Sequence, residues 1–80
     1  MQHFVIVHEW TSEYENGVEI LGVTHSMDEA KEIFNAKLAE EQQYASEHGY
    51  TVYDACETDF DAGEDGYYSQ NHTNLYIQEV

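Results

Sequence analysis

Eighty residues, 41% apolar and 14% aromatic, suffice for one folded domain and are too few for two separate cores. Seventeen Asp and Glu oppose only Lys31 and Lys37, a formal charge of −15. Direct binding to nucleic acid or to an anionic membrane surface is thereby excluded, because both need Lys and Arg to meet phosphates.

The chain opens with Phe4-Val5-Ile6-Val7 inside Gln2 to Trp10. A β-branched run that is apolar on both faces predicts a central strand. Thr11 to Gly17 is polar and ends in Asn16-Gly17, a hairpin turn signal. Val18 to Val23 then predicts a second strand, with Val18 and Ile20 alternating against Glu19 and Leu21.

Ser26-Met27-Asp28-Glu29 has the form of a capping box, and two acids in the first turn suit the positive end of the helix dipole. Ala30, Ile33, Phe34, Lys37, Leu38, Glu41, Tyr44 and Ala45 follow at helical spacing. Gly49 after His48 is a stop signal, so the helix is expected over 27–48, with His48 capping its end.

Tyr50 to Cys56 predicts a third strand, Glu57 to Gly66 an acidic loop, and Asn74 to Val80 a last strand with Leu75 and Ile77 on one face and Tyr76 on the other. The expected fold class is therefore α+β. It is a single two-layer domain over residues 1–80, ββαββ, with one helix packed on a four-stranded, mainly antiparallel sheet in the order 2-1-3-4.

Candidate sites come from the acidic stretch and the tyrosines beside it. Asp59 to Gly66 places acids at alternate positions like the start of an oxygen-ligand calcium loop. The sixth and twelfth positions, however, hold Glu64 and Gln70, where that loop needs Gly and Glu. A solvated acidic loop is the plainer reading, with weak divalent-cation binding by 59–65 as an alternative. His3, His8, His25, His48 and His72 show no metal-ligand spacing, and neither a metal nor a cofactor is expected. Cys56 lies among Asp54, Glu57 and Asp59, which disfavour a thiolate, so it reads as a half-buried core cysteine and the chain as non-enzymatic.

Tyr67 and Tyr68 are adjacent and cannot both point inward on a strand. Tyrosine is enriched at binding hot spots. The expected partner-binding set is Asp54, Glu57, Asp59, Asp61, Glu64, Asp65, Tyr67 and Tyr68.

Phe4-Val5-Ile6-Val7, Gly22-Val23-Thr24 leading into Asp28-Glu29-Ala30-Lys31, and Gly66-Tyr67-Tyr68 together resemble the short acidic proteins of bacterial phages and mobile elements. The resemblance is one of style over most of the length and carries over no site residue. It implies a DNA mimic or an inhibitor of a host nucleic-acid enzyme, including the anti-CRISPR class.

The expected function is a non-enzymatic module that occupies a basic surface of a partner, including a nucleic-acid-binding protein. One alternative is an accessory or homodimeric domain whose acidity serves solubility. A single cysteine, no basic-then-apolar leader and no apolar run of membrane-spanning length give the expectation of a cytoplasmic protein.

Overall fold

A computed structural model describes residues 2–65 and 71–80. Five strands form one antiparallel sheet: β1 (Phe4–Thr11), β2 (Asn16–Thr24), β3 (Thr51–Ala55), β4 (Asp59–Gly63) and β5 (His72–Glu79). One helix among the described residues, α1 (Met27–Glu47), follows β2. The α+β class, the helix and the central place of β1 agree with the sequence reading. The strand count does not: the order is ββαβββ, where ββαββ was expected, and the sheet runs β2-β1-β5-β4-β3.

The extra strand is the segment read as an acidic loop. In Asp59-Phe60-Asp61-Ala62-Gly63, Phe60 and Ala62 are buried, and the two aspartates alternate with them. Acids at every second position are what a strand shows when one face is core and the other is open. With β4 in place, the chain returns from the far edge through β3, β4 and β5, so β5 becomes the second neighbour of β1. Hence the order 2-1-3-4 is not what forms.

The first hairpin turns earlier than the Asn16-Gly17 signal suggested. Asn16 and Gly17 already pair with Thr11 and Trp10. The turn is closed at residues 12–15, where the Ser12 amide and hydroxyl both donate to the Glu15 carbonyl and the Glu15 amide donates back to Ser12 Oγ. Gly17 is needed for space, since a Cβ there would lie 2.3 Å from the Trp10 ring. A bulge at Ile6/Val7 shifts the register of β2 and turns Leu21 towards the core, while Val18 and Ile20 face outward.

The helix begins where Ser26 Oγ accepts from the Glu29 amide at 3.4 Å. It ends where His48 N–H donates to the Tyr44 carbonyl and His48 Nδ1 lies 2.9 Å from that same oxygen. Gly49 follows at φ +67°, the left-handed stop anticipated from sequence. One helix face packs Ala30, Phe34 and Ala45 on Phe4, Ile6, Phe60, Ala62 and Leu75. Phe34, Ile6 and Leu75 have no solvent exposure at all. Among the described residues, no element packs over the opposite face of the sheet.

Candidate functional site

Three of the expected partner-binding residues come together on the uncovered face of the sheet. Asp54 pairs across from Asp61, and Asp59 lies on the same face of β4. Burial pushes the Asp59 carboxyl above its ordinary value, and the charges of Asp54 and Asp61 push it further, against one backbone hydrogen bond from Phe60. Asp59 Oδ1 is shut from solvent with no hydrogen-bond partner among the described residues. Asp61 contacts His72 Nε2.

The other expected residues diverge. Glu57 pairs with Lys31 on the helix at 3.2 Å. Glu64 and Asp65 lie beyond the end of β4, and Glu64 Oε1 accepts from Asn71 Nδ2 at 2.6 Å. Tyr67 and Tyr68 lie outside the described residues. Cys56, expected to be half-buried in the core, is exposed, with Sγ 4.0 Å from Thr58 Oγ1. It lies one position past the end of β3, outside the paired strand.

Read across the sheet, the uncovered face has an apolar half and an acidic half. One row of paired positions runs Ile20, Val7, Tyr76, Asp59 from β2 to β4. The next runs Val18, Glu9, Asn74, Asp61, Asp54, and Val23 pairs with Val5 on the other side. Val18, Ile20 and Val23 are 62%, 57% and 59% exposed, an unusual state for β-branched residues on a sheet face. The Tyr76 hydroxyl donates to Glu9 at 3.0 Å and thereby lies along the face.

A second constellation lies on the helix side, at the hairpin end of the sheet. His8 continues the inward alternation of Phe4 and Ile6 and is buried, as are Glu41 on α1 and Thr73 on β5. Thr73 Oγ1 donates to Glu41 Oε2 at 3.2 Å and lies 2.8 Å from His8 Nε2. A hydroxyl that donates to the carboxylate accepts from the ring, so His8 Nε2 carries a proton, and this nitrogen also lies 3.3 Å from Glu41 Oε1. His8 Nδ1 is 3.6 Å from Glu19 Oε1, too far for a hydrogen bond. Lys37 Nζ lies 3.3, 3.5 and 3.7 Å from Glu40, Glu41 and Glu19.

Burial pushes the Glu41 carboxyl up, but the His8 hydrogen bond, the charges of His8 and Lys37 and the Thr73 hydroxyl outweigh it and hold the group below its ordinary value. Lys37 shows the converse. Burial lowers it, yet its hydrogen bond to Glu40 and the charges of Glu41, Glu40 and Glu19 leave it raised. Beside these groups is an open cavity of about 340 Å³, whose walls include Trp10, Tyr44 and Tyr50. The Tyr50 hydroxyl is pushed up to about 12 by burial, a hydrogen bond with Tyr44 and nearby carboxylates. Sequence reasoning missed this site, although its signal was there: His8 interrupts an apolar strand face, and Lys37 and Glu41 interrupt the apolar helical stripe.

Among the described residues, no three His, Cys, Asp or Glu side chains converge as a metal shell would require. None of the described helices is long and apolar enough to cross a membrane. Compared with protein-family models, curated proteins and solved structures, the chain matches none.

Proposed function

We propose that this protein is a non-enzymatic binding module that lays the uncovered face of its sheet on a basic surface of another protein. The observation that carries the reading is the division of that face. Val18, Ile20, Val23 and Val5 supply apolar area on β2 and β1, and Asp54, Asp59 and Asp61 supply a cluster of carboxyl groups on β3 and β4. Burial of the apolar half drives association, while the carboxylates and the overall charge of −15 select and steer a basic partner. A nucleic-acid-binding protein is the partner class in which such a basic surface is most extensive, which accommodates an inhibitor of the anti-defence type.

Nucleic-acid mimicry over the whole molecule draws less support. Asp28, Glu29, Glu32, Glu40 and Glu47 are exposed on the helix, and Glu13 and Glu15 on the hairpin turn. The acids therefore cover both layers instead of forming one charged track. That distribution favours a second reading, an accessory or homodimeric domain kept soluble by its charge.

The test is capture of proteins from source-cell lysate on immobilised wild-type protein and on Ile20→Asp, with elution by salt and by duplex DNA. A basic protein retained by wild type, released by DNA and lost with Ile20→Asp supports the proposal. If no basic protein is retained, or if the variant retains it equally, the uncovered face is not its docking surface.

A further inference from the structure

The cavity between the C-terminal half of α1 and the hairpin end of the sheet is independent of the uncovered face, because the sheet itself separates them. Its aromatic wall has a structural origin. Trp10 pairs across from Gly17 and spreads over it, so the indole lies along the sheet and does not fill the space beneath the helix. Tyr44 and Tyr50 approach edge-on with ring centres 5.7 Å apart, and together with Trp10 they bring three electron-rich rings to one opening. Glu19, with a half-exposed side chain, and Glu41, deeply set, contribute carboxylates to the same lining.

We propose that this cavity binds a small organic cation, an alkylammonium or guanidinium group carried on a compact apolar body. Aromatic faces attract a cation through their quadrupoles, and desolvation strengthens that attraction. The lining carries two carboxylates, Glu19 and Glu41, against one amine, Lys37, and two imidazoles, His8 and His72, so with the imidazoles neutral a further positive charge is matched and an anion is repelled. Lys37 reports the sign of the local field: carboxylates on three sides raise its basicity in spite of burial. The volume of about 340 Å³ admits a molecule at the small end of the usual ligand range of about 300–1,000 Å³.

Trp10 is the single tryptophan, so its fluorescence reads this site alone. Choline, agmatine and a blocked Gly-Arg-Gly peptide are titrated separately, with 3,3-dimethylbutan-1-ol as the uncharged counterpart of choline. Saturable change with choline or agmatine is expected, and none with the alcohol. Saturation only with the peptide keeps the cationic chemistry and assigns its source to a protein side chain. Glu19→Gln should weaken binding about two- to fivefold, the size of a partly screened charge contact. Because Glu41→Gln risks the fold, Glu19→Gln and Tyr44→Leu, both at partly exposed positions, serve as the variants. Equal response to the alcohol, or no saturation with any of the three cations, overturns the proposal.

Discussion

The Thr73 hydroxyl joins two buried groups that also meet directly, His8 Nε2 lying 3.3 Å from Glu41 Oε1. It accepts from His8 and donates to Glu41, so Thr73→Val keeps the shape and removes both bonds. Each intramolecular hydrogen bond contributes about 0.5–1.5 kcal/mol net, and a loss of that size for each of the two is expected for Thr73→Val in urea unfolding at pH 7. The two displaced carboxyls then give opposite pH signatures. Glu41 is depressed below 4.5 in the fold, so the unfolded chain takes up its proton first on acidification. Its stabilising contribution is complete above about pH 4.5 and is lost as pH falls through the folded value, and the cost of Glu41→Gln should shrink over that window. Asp59 is raised above 3.8, so its charged form opposes folding at neutral pH. Asp59→Asn should stabilise by a few tenths of a kcal/mol at pH 7, with the gain declining as pH falls through the folded value and gone below about 3.8. A destabilised Asp59→Asn at pH 7 would show that the carboxylate has a cationic partner instead of like-charged neighbours.

At the scale of elements, glycine and capping choices decide whether each piece is correctly placed. Gly17→Ala puts a Cβ into the Trp10 ring, at a contact no real Cβ tolerates, and the indole of β1 must leave its place over Gly17 of β2. The expected result is a shifted Trp10 emission with the helical circular dichroism largely kept, because α1 does not depend on that contact. Ser26→Ala acts on the helix instead, removing the acceptor for the Glu29 amide at a cost of about 1 kcal/mol. The same distinction explains what could be read from sequence. The helix was legible to within one residue because cap, apolar period and Gly49 stop all agreed. β4 was not, because Asp59 and Asp61 have the composition of a loop, and only the burial of Phe60 and Ala62 between them reveals a strand. Misreading that one element changed the strand count, the strand order and the grouping of the acids. The helix-side site was hidden for another reason. His8, Glu41 and Thr73 lie up to 65 positions apart, and no local spacing encodes their meeting.

For the whole molecule, the charge of −15 opposes the compactness that the fold requires. The described ion pairs offset little of it. Lys31 is held by exposed Glu57, and Lys37 is shared among Glu19, Glu40 and Glu41. Most acids lie at the surface on both layers, where their mutual repulsion acts through water and is screened over roughly 10 Å at 0.1 M salt. Added salt should therefore stabilise the protein, the opposite of what a fold held by surface ion pairs would show. The urea midpoint is expected to rise steadily between 20 mM and 500 mM sodium chloride, with chloride replaced by perchlorate to separate screening from salting-out. Partner binding should move the other way, since a basic surface attracted by the same charge is screened by the same ions. A midpoint that falls with salt would mean that attractive pairs outweigh the repulsion, and the excess acid would then have to be read as structural before it is read as a field for a basic partner.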